Sequence, residues 1–166
     1  MYQYIQTSVS LINPTALKQA RTIVNNSFDS TKYFDYQLKI IDMAWICYSD
    51  YNVIGWATAI LKTDYAILKC VVVDPKYRLQ GISSKLTELR LDYFKSLNYK
   101  LIKSYSWIDP EGSCASCRTL EKYGLVSTKD CLISCVGNIS HDMLSTYCLD
   151  CGTNCKSIAK VFEKQL

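Results

Sequence analysis

ILKCVVVDPKYRLQGISSKLTELRLDYFKSL, residues 67–97, is the stretch whose reading decides this chain. A short apolar run (Leu68, Cys70, Val71, Val72, Val73) ends at Asp74-Pro75. A basic loop follows, and Arg78-Leu79-Gln80-Gly81-Ile82-Ser83 then opens an amphipathic helix. A buried strand that feeds a helix N-terminus through a glycine-containing basic turn is suited to hold phosphate. The first helical amides have no intrahelical acceptor, and the macrodipole favours an anion at that end. Gly81 lets the backbone approach a ligand with no Cβ in the way. The loop lacks the Gly-Lys-Ser/Thr ending of a Walker loop and the Gly-x-Gly-x-x-Gly of dinucleotide folds. A strand, a loop and a helix occur in every α/β protein, so residue order has to carry the reading further.

That order, Val-x-x-Asp-Pro-x-x-Arg-x-x-Gly-Ile-Ser-x-x-Leu, resembles motif A of the GNAT-type N-acetyltransferases, whose signature is Arg/Gln-x-x-Gly-x-Gly/Ala. The signature positions here are Arg78, Gly81 and Ser83, with Ser83 small enough to replace the usual Gly or Ala. The resemblance implies an acetyl-CoA site in which Val71, Val72 and Val73 hold the thioester end. Arg78, Leu79, Gln80, Gly81, Ile82, Ser83 and Ser84 would then hold the pyrophosphate. A second resemblance, to motif B, covers Ser113-x-x-Ser116-x-x-x-Leu120-Glu121-Lys122-Tyr123-Gly124-Leu125. Many relatives carry Asn early in that motif and Tyr just before Glu-Lys, where this chain has Ser113 and Leu120. The phenol that often protonates the departing CoA thiolate is therefore missing from its usual place. The resemblance spans about residues 2 to 135 and describes the cofactor site better than the catalytic one.

Outward from this centre, periodicity places the remaining elements. Tyr2–Gln6 alternates as a strand, and Asn13-Pro14 caps a helix whose stripe is Leu17, Ala20, Ile23 and Val24. A second short helix is expected over Ser30–Lys39. Ala44–Tyr48 and Val53–Leu61 flank a turn-prone Ser-Asp-Tyr-Asn, and Tyr65–Val73 makes a third consecutive antiparallel strand. The helix from Ile82 is expected to bury Ile82, Leu86, Leu89, Tyr93 and Leu97. Lys100–Trp107 reads as strand, 109–112 as a turn, and Ser113 to Tyr123 as a helix stopped by Gly124. Leu125 through Val136 reads as strand, His141–Tyr147 as a turn or two of helix, and Ser157–Glu163 as a final strand. The expected fold is α+β in three layers: a GNAT-like mixed, mostly antiparallel twisted sheet flanked by helices. No Gly/Ser/Pro-rich linker interrupts it, so residues 1–166 are expected to form one domain.

Composition sets outer bounds. The chain has 166 residues, 49% of them apolar, with a net charge of +4. That suffices for one sizeable core. No apolar run approaches the roughly 20 residues of a membrane helix, so no membrane partner is expected. The first residues lack a basic segment followed by an apolar one, and a cytoplasmic location is expected. Lysines and arginines are dispersed rather than clustered, so no nucleic-acid partner is expected. Nothing in the pattern decides between monomer and homodimer.

Nine cysteines is a high, odd count, and no disulfide framework is expected. Cys148-Leu-Asp-Cys151-Gly-Thr-Asn-Cys155, within a cysteine-rich tail at about 131–157, has the shape of a zinc knuckle. It resembles the cysteine-rich tails of some bacterial GNAT proteins, although Ser157 stands where a fourth ligand would be. His141, Cys131, Cys135 and the pair Cys114 and Cys117 are the candidates to complete a structural zinc site. Reduced thiols without metal are the other reading.

The resemblance implies direct acetyl transfer from acetyl-CoA to a primary amine, small molecule or protein. A backbone amide near Val71–Val73 would polarise the thioester carbonyl. A carboxylate or a water chain must take the ammonium's proton; Asp64, Asp109 and Glu111 are candidates, though each reads more readily as a turn or surface acid. Tyr105 and Tyr123 are the candidate acids, and Trp56 and Trp107 candidate walls of an acceptor pocket. Two other classes stay open: a CoA-binding or protein-interaction module without catalysis, and a zinc-ribbon nucleic-acid adaptor.

Overall fold

The structure is a computed structural model that describes residues 1–28, 33–108, 112–132 and 158–166. Its elements are β1 (Gln3–Ser8), α1 (Pro14–Phe28), α2 (Tyr33–Leu38), β2 (Met43–Ser49), β3 (Asn52–Leu61) and β4 (Tyr65–Val73). After these come α3 (Ile82–Ser96), β5 (Leu101–Ile108), α4 (Cys117–Lys122), β6 (Val126–Leu132) and β7 (Ile158–Gln165). The strands form one sheet in the order β1-β2-β3-β4-β5-β7-β6. All neighbouring pairs are antiparallel except β4 and β5. This is the mixed, mostly antiparallel α+β sheet expected from the sequence.

Local chemistry explains the boundaries. Asn13 Oδ1 accepts a 2.8 Å bond from the Ala16 amide, which caps α1 ahead of Pro14. The end of α4 is a Schellman turn. The Leu125 amide reaches the Leu120 carbonyl at 3.0 Å, the Gly124 amide reaches Glu121 at 2.9 Å, and Gly124 takes φ 77°. Helix α4 begins at Cys117, later than expected, and a disulfide joins Cys114 to Cys117 across 5.4 Å between Cα atoms. In this form neither cysteine is a thiolate ligand for zinc.

Two cores sandwich the sheet. One face packs Trp45, Ile54, Leu68, Leu86, Phe94 and Phe162 beneath α3 and α4. The other packs Ala20, Val24, Phe34, Ile46, Trp56 and Ile67 against α1 and α2. Trp56, 1% exposed and set against Phe34 at 5.6 Å between ring centres, belongs to this core and not to an acceptor pocket.

Helix α3 sits differently from the expected stripe. It buries Ile82, Leu86, Arg90 and Phe94 at spacings of four, together with Thr87 and Leu91. Leu89 and Tyr93 pack only at the margin, and Leu97 is 47% exposed. Gly55 of β3 explains the seating. A Cβ there would lie 3.0 Å from Cys47 Cβ, 3.0 Å from Ile82 Cγ2 and 3.2 Å from Leu86 Cδ1. The first two turns of α3 therefore rest directly on the strand, which fixes the helix start relative to β4.

Replacing Gly55 by Val should overpack this contact and cost about 1–3 kcal/mol. Chemical denaturation checks it, and an unchanged midpoint would show that α3 does not depend on that approach.

Candidate active site

Strand β4 has one residue too many for its neighbour. Ala59 pairs with Leu68 and Ala57 with Val71, so Thr58 faces both Lys69 and Cys70. Such a bulge bends the strand and raises its twist. On the other side, β4 pairs with β5 only from Tyr65↔Leu101 to Leu68↔Ser104. Beyond Leu68 the β4 edge carries Cys70 to Val73 past a gap, and β5 continues from Tyr105 toward Ile108 on the far side.

A cavity of about 770 Å³ fills the gap. Its walls include Val71, Val72 and Val73 from β4, and Arg78, Leu79, Gly81, Ile82, Ser83 and Ser84 from the loop and the start of α3. Gln80, grouped with them from the sequence, is not in the wall. Its side-chain oxygen instead accepts a hydrogen bond from the Tyr2 hydroxyl. The loop is held in shape from several sides. Asp74 Oδ1 accepts from the Lys76 amide at 2.9 Å, and Arg78 Nε donates to the Val73 carbonyl at 3.2 Å. Leu79 at φ 63° and Gly81 at φ 78° are both left-handed. For Leu79, fully exposed, that conformation costs about 1–2 kcal/mol, a strain of the kind found where backbone meets ligand. Nothing lies within 4 Å of a Cβ built at Gly81, so the space beside it is open.

The opposite wall holds residues that sequence reading passed over. Ile102, Ser104 and Ser106 are the buried positions of β5, and both serines line the cavity. Ser104 Oγ donates to the Leu68 carbonyl at 3.2 Å, and Ser116 Oγ donates to Ser106 Oγ at 2.8 Å. Small hydroxyls at core-facing strand positions were a readable signal, because they leave volume that a Leu or Val would fill. Ala115, Ser116, Thr119 and Leu120 close the α4 side, and Ser27, Phe28 and Tyr33 the α1–α2 side. Leu120, 4% exposed, puts an apolar side chain in this wall.

The candidate catalytic groups separate. Tyr105 and Trp107 line the cavity. Tyr123 does not; as C-cap of α4 it faces a smaller hollow of about 280 Å³ with Glu88, Asp92 and Lys164. Burial and then Glu88 push its hydroxyl pKa up, Lys85 opposing. Asp64 is exposed at the β3–β4 turn, the opposite end of β4 from the gap. Asp109, Glu111, His141, Cys135 and the zinc-knuckle positions Cys148, Cys151 and Cys155 lie outside the described residues. Among the described residues, no group of three or more His, Cys, Asp or Glu is arranged to hold a metal ion. None of the described helices is long and apolar enough to cross a membrane.

Lys69, Cys70 and Arg90 are among the cavity residues with strongly displaced titrations. Burial lowers Lys69 to about 8, with Cys70 opposing. Burial raises Cys70 to about 12, with Arg90 and Lys69 opposing. Burial lowers Arg90 to about 10, so its guanidinium stays charged at neutral pH. Lys69 gives a pH signature. Between pH 8 and the ordinary lysine range the unfolded chain holds a proton that the folded chain has released, so stability rises with pH there. The unfolding free energy of the wild type should increase relative to Lys69→Met from pH 8 to 10. Parallel curves in denaturant titrations would show that Lys69 is not desolvated.

Comparison with known proteins follows the same lines. A family model described as the acetyltransferase (GNAT) family matches residues 16–125. No curated protein matches the chain significantly by sequence. A GNAT-family protein from Desulfovibrio desulfuricans superposes with a TM-score of 0.74 at 9% identity, over 99% of each chain. A GNAT family acetyltransferase from Elizabethkingia anophelis, solved with acetyl-CoA bound, gives 0.68 at 15% identity, over 99% of this chain and 98% of that one. The ribosomal-protein-S18-alanine N-acetyltransferase from Escherichia coli gives 0.65 at 15% identity, over 98% of this chain and 94% of its own. With two thirds of its length matched by the family model and this fold, the chain belongs to the acetyltransferase (GNAT) family.

Proposed function

We propose that this protein is an acetyl-CoA-dependent N-acetyltransferase that passes acetyl directly to a primary amine. The observation that carries the reading is the parting of β4 from β5 beside a basic loop that runs straight into α3. A cleft of this shape takes a long thin arm between the strands and an anionic group at the helix start. The open space beside Gly81 fits a pyrophosphate held by backbone amides, with Arg78 adding charge. Acetyl-CoA bound to the Elizabethkingia anophelis relative supports the cofactor.

The chain's own groups then divide the work. An amide of Val71–Val73, on the strand edge left without a β5 partner, donates to the thioester oxygen as it gains charge. An ammonium has no lone pair, so the acceptor must lose a proton before attack. Lys69 in its neutral form is placed on the cavity wall to receive it. Tyr105, on the facing strand, returns a proton to the departing thiolate. Leu120 adds an apolar side chain to the wall of the cleft.

A second reading, a CoA-binding module without turnover, is favoured by the apolar Leu120 in the cavity wall, at the position where the motif B resemblance implies a tyrosine acid. Free-thiol release during incubation with an amine library separates the two. A rise in CoA thiol with any amine supports transfer. Tight acetyl-CoA binding with no thiol release supports the module.

Calorimetry should find micromolar acetyl-CoA binding that Gly81→Val abolishes, with the circular dichroism spectrum retained. Unchanged affinity in that variant would remove the phosphate-loop assignment. Tyr105→Phe should lower kcat about 10- to 100-fold with acetyl-CoA affinity preserved. Wild-type kcat in Tyr105→Phe would take the proton-donor role from that residue.

A further inference from the structure

A charge buried inside α3 is the feature that the fold does not require. Arg90 is 1% exposed and sits in the row Ile82, Leu86, Arg90, Phe94, where every other member is apolar. A guanidinium costs much to desolvate, and a well-packed apolar residue of similar volume serves stability as well or better. Stability alone therefore does not account for an arginine here, and its hydrogen bonds show where its donors go.

Nη1 donates to the Thr58 carbonyl at 3.2 Å and makes a longer contact of 3.5 Å with the Cys70 carbonyl. Thr58 and Cys70 are the two sides of the bulge, where the β3–β4 ladder slips by one residue. Nη2 donates to Thr87 Oγ1 at 3.1 Å, and Thr87 Oγ1 donates in turn to the Ser83 carbonyl at 2.9 Å. Ser83 lies in the first turn of α3, beside the loop. One chain of hydrogen bonds thus runs from the helix start, through Thr87 and Arg90, to the carbonyl immediately before Val71. Both ends of that chain, and Arg90 itself, border the same cavity.

We propose that Arg90 is a positioning residue for the acetyl site. Its guanidinium holds the bulge carbonyls of Thr58 and Cys70, and so fixes the direction of the Val71–Val73 amides relative to the phosphate-binding start of α3. A ladder residue presents its amide by pairing with the next strand, but β4 has lost that neighbour here, and Arg90 replaces the constraint from the helix side. The role rests on the acetyltransferase reading for its catalytic consequence. The geometry of the bulge stands without it.

The test compares wild type with Arg90→Met, Arg90→Lys and Thr87→Val. In the free protein, amide hydrogen exchange at Val71–Val73 should quicken at least tenfold in Arg90→Met, with β2 unchanged. Arg90→Lys, whose ammonium can still reach the Thr58 carbonyl, should recover part of the protection. With acetyl-CoA and an active amine, Arg90→Met should lose at least tenfold in kcat while the Kd for CoA stays within about threefold. CoA lacks the acetyl oxygen that the amide would meet, so a purely structural defect would weaken CoA binding and kcat together. Thr87→Val should give a smaller loss of the same kind. Unchanged exchange at Val71–Val73 in Arg90→Met overturns the proposal, as does a parallel fall of CoA affinity and kcat. A wild type that binds no acetyl-CoA would instead overturn the functional reading, and the exchange result would still decide the role of Arg90 at the bulge.

Discussion

The structure depends on one mismatch: β4 cannot stay in register with β3 and alongside β5 over its whole length. The extra residue at Lys69-Cys70 turns the end of the strand, and the parallel ladder to β5 stops at Leu68↔Ser104. Every property of the cavity follows. The gap needs walls that do not fill it, which Ser104 and Ser106 supply from β5. It needs a fixed floor, which comes from α3 lying against Gly55. It also needs the polar backbone exposed by the lost ladder to be satisfied, since unpaired buried carbonyls are costly. Arg90 takes the carbonyls at the bulge, and the cavity receives the rest of that edge.

Electrostatics and conformation converge at one corner of the gap. The amides at the start of α3, the Arg78 guanidinium and the +4 net charge all favour an anion. The left-handed Leu79 and Gly81 turn the chain from strand to helix within a few residues. Arg78 spends one donor on the Val73 carbonyl, which ties the basic loop to the end of β4. The basic loop and the strand edge are thereby tied together rather than being two neighbouring features.

Much of this was legible beforehand, and the failures have physical causes. The strand–loop–helix centre, the hairpins, the Asn13 cap and the Gly124 stop follow from alternation, capping and left-handed glycine chemistry. These rules act over a few residues and leave strong marks. The face of α3 was misread because Leu89, Tyr93 and Leu97 form an apolar row as regular as the buried one, while an arginine interrupts the true row at position 90. Gly55 gives no local sign, because its need for a missing Cβ comes from a helix some thirty residues away. The bulge is invisible for the same reason: it is a relation between β3 and β4, not a property of either. Tyr123 and Tyr105 looked equivalent in the sequence, and only the placement of β5 and the end of α4 separates them.

The order of the sheet bears on how such a chain is made. Strand β7 is synthesised after β6 yet lies between β5 and β6, pairing with β5 along its full length from Leu101↔Gln165 to Ile108↔Ile158. Until β7 emerges from the ribosome, β5 is anchored only through its first half to β4, and β6 has no strand to join. Before β7 pairs, β5 therefore presents a raw sheet edge beside the cavity, a feature that favours aggregation. The wall of the cavity is complete only once β7 has paired between β5 and β6.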